Sequence, residues 1–159
     1  MKRVSSLIVI CFILTAISFA QSKQTPTQKR LQNDIVNFLK EKGFSPSIDK
    51  DGDVEFKSEG KTHWISILSE SPFFIEIFKM GSSLEGKNGL NRNIAIKACN
   101  GVNAELPVIN AHCDDKDVWF YIELYITSSE EFKSVFEKYL EIMSKSEPTF
   151  FKYYNNLKN

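Results

Sequence analysis

Leu31, Ile35, Phe38 and Leu39 recur at helical spacing, with Val36 on the flank, and predict a first helix over 27–42. Thr25 or Thr27 can cap it, and Pro26 suits its first turn. Gly43 then supplies a left-handed stop, with Phe44 placed for the closing hydrophobic contact. The period next changes from helical to alternating. Asp51-Gly52 separates Ser47-Ile48 from Val54–Phe56, and both turn residues tolerate positive φ, which predicts a hairpin. Glu59-Gly60 makes a second turn before a strand over Thr62–Leu68, and a further strand follows over Phe73–Met80. Gly81, Gly86 and Gly89 mark a loose connection.

Ile94, Ala98 and Val102 share one stripe and predict a second helix over Asn91–Val102, which Pro107 keeps short. Leu106–Cys113 and Val118–Ile126 read as two strands around the turn Asp114-Asp115-Lys116-Asp117. Ser128 to Glu131 fits a capping box. Phe132, Val135, Phe136, Tyr139, Leu140 and Met143 then form one apolar stripe, with Pro148 as the expected end of the third helix. An aromatic tail over 148–159 follows. The order α-β-β-β(-β)-α-β-β-α, with hairpin connections, predicts an α+β fold: a mainly antiparallel sheet with helices packed on one face.

The N-terminus changes the picture of where this domain works. Lys2 and Arg3 precede an apolar run, Leu7 to Ile17, and Ser18-Phe19-Ala20 offers small residues at the positions that signal cleavage requires. Residues 1–20 are therefore expected to be a signal peptide, with 21–26 a flexible lead-in and the product secreted or periplasmic. The run is shorter than the ~20 apolar residues of a membrane span, so no stable span is expected after cleavage. The remaining chain suits one domain. Charge is balanced, with 20 Lys and Arg against 20 Asp and Glu. That balance provides no electrostatic footprint for nucleic acid.

Candidate chemistry adds little. Asp49, Asp51 and Asp53 alternate like calcium ligands, but an EF-hand loop needs glycine sixth and glutamate twelfth, where this chain has Val54 and Gly60. His112 and Cys113 are adjacent on a strand and must face opposite ways, so they make no catalytic pair. His63, His112, Cys99 and Cys113 lack the paired spacings of a zinc site. No catalytic residue, metal ligand or cofactor site is assigned, and the chain is not expected to be an enzyme. Cys99 and Cys113 have two open states, a disulfide that export would preserve or a pair of buried free thiols.

Alternation leaves aromatics on both sheet faces. Trp64, Phe74, Phe78, Trp119, Tyr121 and Tyr125 fall opposite the more aliphatic set. Three explanations stand: the aromatic tail covers them, they pair across strands, or they form a surface for a protein partner or a second copy in a homodimer.

The stretches "IVNFLKEKGFSPSIDKDGDVEFKSEGKTHWISI" (35–67) and "NGVNAELPVINAHCDDKDVWFYIELYI" (100–126) resemble the YbjN family. The first resembles that family's helix, Gly-Phe, acidic-Gly hairpin and following strands; the second resembles its helix end, strand, acidic turn and aromatic strand. The resemblance spans about 27–146 and implies a single domain over 27–147 with a fold like that of type III secretion chaperones. It also implies protein binding, dimerisation and chaperone-like or regulatory roles, and it brings no catalytic residues. The expected function is a non-enzymatic protein-binding module. The alternatives are a small exported enzyme with an unrecognised site or a structural envelope component.

Overall fold

The computed structural model describes residues 24–70, 72–86 and 89–158; the expected signal peptide lies outside them. Three helices and six strands follow in the order α1 (Pro26–Glu41), β1 (Ser47–Ile48), β2 (Val54–Ser58), β3 (Lys61–Ile67), β4 (Phe73–Ser83), α2 (Arg92–Glu105), β5 (Asn110–Cys113), β6 (Asp117–Ile126) and α3 (Ser129–Lys158). All strand pairs are antiparallel, in the spatial order β1-β2-β3-β4-β6-β5. The fold is α+β, as the pattern predicts.

Local chemistry explains the joints. Thr25 Oγ1 accepts the Gln28 N–H while the Gln28 side chain accepts the Thr25 N–H, so α1 opens with a reciprocal capping box. Gln32, buried, donates from Nε2 to the Gly52 carbonyl at 2.5 Å and ties α1 to the first hairpin. The Asp49–Asp53 segment is the expected turn. Asp49 Oδ1 accepts the backbone N–H groups of Asp51 and Asp53 while Gly52 takes φ +89°. Glu59 and Gly60 both have positive φ, the two-residue geometry that joins β2 to β3 without splaying them.

The inward residues of β2, β3, β4 and β6 alternate strictly: Val54 and Phe56; Ile65 and Ile67; Ile75 and Ile77; Val118, Phe120, Ile122, Leu124 and Ile126. They join Leu31, Ile35 and Leu39 of α1, Ala95, Ala98 and Val102 of α2, and Phe132, Phe136 and Met143 of α3 in one core. Among the described residues the helices therefore cover one face of the sheet.

Several boundaries differ from expectation, and α2 runs on from Val102 to Glu105. β4 continues past Met80 to Ser83 through an irregularity between Met80 and Ser82. Gly81 sits there over the Phe120 ring, where a Cβ would collide with it. β5 is shorter than Leu106–Cys113, because Pro107 and Val108 form an exposed turn in which Ile109 N–H bonds the Leu106 carbonyl.

The largest correction is Pro148, which lies inside α3 rather than ending it. The proline removes one helical hydrogen bond, to the Ser144 carbonyl, at ~3 kcal/mol. Beyond it, Phe150 and Tyr154 are buried and together offset that cost, at ~1.5–3 kcal/mol per large apolar side chain. Phe150 packs edge-on against Phe120, and Tyr154 Oη accepts the Asn91 N–H at 2.7 Å. The aromatic "tail" is therefore a helical part of the core, and it does not cover the open sheet face.

Candidate functional site

The open face of the sheet is ordered by register into rows. Glu55, Trp64, Phe78, Tyr121 and Asn110 lie opposite one another across five strands. Trp64 stacks on Phe78 at 5.6 Å, and Phe78 on Tyr121 at 5.4 Å. One step along the strands, Trp119 lies within 6.1 Å of both Trp64 and Phe78, and His112 stacks on Tyr121 at 5.0 Å. At the other end of the face, Phe74 stacks on Tyr125 at 4.9 Å, with Tyr125 69% exposed.

Between the two aromatic groups runs a polar row, Ser66, Glu76 and Glu123, paired directly across strands. Burial pushes the Glu76 carboxyl above its ordinary range, and the facing carboxylates of Glu123 and Asp53 push the same way. Ser66 Oγ donates to Asp53 at 2.6 Å, which opposes the upward effect of burial on Asp53. A hollow of about 260 Å³ opens between Glu76, Glu123, Tyr121, His112 and Asn110. Two carboxylates beside two aromatic rings are the chemistry that holds a basic side chain.

Because the folded state keeps the Glu76 proton to higher pH than the unfolded chain, this residue opposes folding once it is ionised. The penalty is complete above its raised pKa and is relieved as pH falls towards the ordinary glutamate value. Glu76→Gln is accordingly expected to stabilise the fold at neutral pH by a few tenths of a kcal/mol, the scale of a like-charge cross-strand pair. The gain should shrink in acid. Urea unfolding at both pH values checks it, and a loss of stability at neutral pH would contradict it.

Trp119 is held in place by its turn. Asp114 Oδ1 accepts the N–H groups of Lys116 and Asp117, both at 2.7 Å, and Oδ2 accepts Trp119 Nε1–H at 2.9 Å. Those backbone bonds keep the Asp114 carboxyl below the usual range. The acidic cluster is thus a turn that orients an aromatic ring.

All six aromatic residues singled out by alternation occupy this face, in two groups rather than one. Pattern reading left out His112 and Glu76, although both share the strand parity of the chosen residues. The thiols lie elsewhere: Cys99 on α2 and Cys113 on β5 meet at Sγ–Sγ 3.4 Å, unbonded. His112 and Cys113 do face opposite ways, His112 to the open face and Cys113 to Cys99. Among the described residues no three His, Cys, Asp or Glu side chains converge as a metal site, and no helix is long and apolar enough to cross a membrane. Comparison with known proteins found neither a family model nor a curated relative that matches the chain.

Proposed function

We propose that the protein is a secreted or periplasmic, non-enzymatic binding module of the YbjN-like kind. Its open sheet face captures a polypeptide segment that carries basic side chains among apolar ones. The observation that carries this reading is the carboxylate row set between two aromatic groups, with a hollow sized for a side chain beside Glu76 and Glu123. Partly exposed aromatic rings supply contact area, and the carboxylates of half-buried Glu76 and exposed Glu123 select positive charge. The sheet edges support the face over the edge as the binding surface, since β1 has 2 residues and β5 has 4, too short for strand addition. A second copy is the less favoured occupant. A twofold axis through the polar row would bring Glu76 and Glu123 against their own equivalents.

A synthetic peptide alternating lysine with leucine is the direct probe, with a glutamate–leucine peptide as its counterpart. Trp119→Ala is expected to weaken capture of the basic peptide by about thirtyfold, the loss typical of a central aromatic anchor. Cys113→Ala should leave it nearly unchanged. Calorimetry of both variants and both peptides measures this. Equal affinity for the two peptides, or no effect of Trp119→Ala, would overturn the reading. Conversion of a concentration-dependent dimer to monomer by Trp119→Ala would instead assign the face to self-association.

A further inference from the structure

A second site lies on the opposite, helix-covered side of the sheet. A cavity of about 550 Å³ opens between the β2–β3 hairpin and the middle of α3, with Phe44, His63, Lys79, Leu140, Ser144 and Glu147 among its walls. That volume is within the range of small-molecule sites. Two polar side chains on its inner wall are almost wholly buried, His63 at 4% and Lys79 at 3% exposure. Strand parity places both on the core face, in line with Ile65 and Ile67 on β3 and with Ile75 and Ile77 on β4.

Neither has the partners that burial demands. His63 stacks on Phe56 at 5.3 Å, and its Nδ1 is buried with no hydrogen bond among the described residues. Burial, with the nearby Lys79 charge, lowers the imidazole to about 4, so the ring is neutral at neutral pH. The Lys79 ammonium sits 5.9 Å from the Phe120 ring centre and forms no hydrogen bond or ion pair with a described residue. Such a charge favours any ligand that brings its counter-charge.

The carboxylates around the cavity do not pair with it directly, and three of the four are engaged by other lysines. Glu147 takes Lys61 at 3.0 Å, Glu137 takes Lys42 at 2.9 Å, and Glu141 takes both Lys138 and Lys145 at 2.7 Å. Glu147 favours the charged form of Lys79 and Lys61 opposes it, while burial is the largest influence and lowers its pKa. Glu59, at the exposed turn, acts weakly from the rim. Lys79 is the more buried of the two lysines on the cavity wall and has no direct ion pair among the described residues, with Phe44 and Leu140 forming an apolar wall.

We propose that this cavity binds a small organic carboxylate, its head on the Lys79 ammonium and its apolar body along Phe44 and Leu140. The anion completes a charge pair that the protein leaves open, and His63 offers a neutral ring with an unused nitrogen beside it. The site is independent of the aromatic face, from which the sheet itself separates it.

Hexanoate, its uncharged amide hexanamide, and inorganic phosphate test the proposal by NMR titration of the full chain. Hexanoate is expected to shift the Lys79 and His63 side-chain resonances saturably, with hexanamide weaker by about tenfold or more. Lys79→Met keeps the side chain's length and removes the buried charge. It is expected to remain folded and to lose hexanoate binding by about tenfold or more. Equal binding of acid and amide by the native chain would overturn the proposal without reliance on any variant. So would the absence of saturation, undiminished binding by a folded Lys79→Met variant, or a response confined to phosphate.

Discussion

Phe136→Ala is expected to lower the free energy of unfolding by about 3–5 kcal/mol, the range for removing a fully buried aromatic ring. Phe136 has no exposed surface and stands where three elements and a loop converge. Its ring meets Phe38 of α1 at 5.3 Å, Phe132 one turn earlier on α3 at 5.4 Å, Phe56 of β2 at 5.8 Å and Phe44 of the α1–β1 loop at 6.0 Å. The contacts with Phe38 and Phe44 are edge-on, the arrangement favoured by ring quadrupoles. These neighbours belong to different segments, so they cannot all move into the space that alanine leaves. Against a typical stability of ~5–15 kcal/mol, the loss would bring the variant close to unfolding at moderate temperature. Urea denaturation provides the measurement, with a lowered midpoint and an unchanged slope expected. A loss below ~1.5 kcal/mol would mean that this junction can repack, and the ring cluster would not be the centre of the α1–α3 contact.

The residues of that cluster also show how far local pattern reaches. Phe132, Val135, Phe136, Tyr139, Leu140 and Met143 announce the buried stripe of α3 by spacing alone. The same spacing continues through Phe150 and Tyr154, but the proline between them is a strong local stop signal and prevails in any reading by local rules. What overrides it is tertiary: the Phe120 ring on β6 and the Asn91 N–H at the start of α2 wait for those two side chains. Neither partner is near in sequence.

The sheet faces were legible for a related reason. Period-two alternation assigns Trp64, Phe78, Trp119 and Tyr121 to one side whatever the register. It does not say that Glu76 and Glu123 stand opposite each other between the aromatic groups, because that requires the β4–β6 register. The cavity was illegible altogether. Parity alone places His63 and Lys79 inward, but polar residues at inward positions draw notice only once their neighbours prove to be core. Its outer wall depends on α3 passing over the β2–β3 hairpin.

Under an oxidant, Cys99 and Cys113 are expected to close into a disulfide that stabilises the fold by about 3 kcal/mol. The estimate follows from the entropy of closing a loop of about 15 residues in the unfolded chain; the two thiols are 14 positions apart. The contact is already made, with Sγ atoms 3.4 Å apart. It is held from outside by Asn103, whose Oδ1 accepts the Ala111 N–H and whose Nδ2 donates to the Ala111 carbonyl, which clamps α2 to β5. The obstacle is kinetic. Burial raises both thiols, Cys99 far above the ordinary thiol range and Cys113 less so. Since the thiolate is the attacking species, the half-exposed Cys113 should react first, and the rate should climb with pH. Treatment with diamide transfers two hydrogens to the oxidant and leaves the chain two hydrogens lighter, with neither Cys99 nor Cys113 open to alkylation. Urea unfolding with and without reductant then reads the stabilisation, and a Cys99→Ala, Cys113→Ala chain should show no dependence on reductant. An oxidised chain of equal or lower stability would mean that the bridge strains α2 against β5. Oxidation that yields only linked dimers would mean that the two thiols do not meet within one chain.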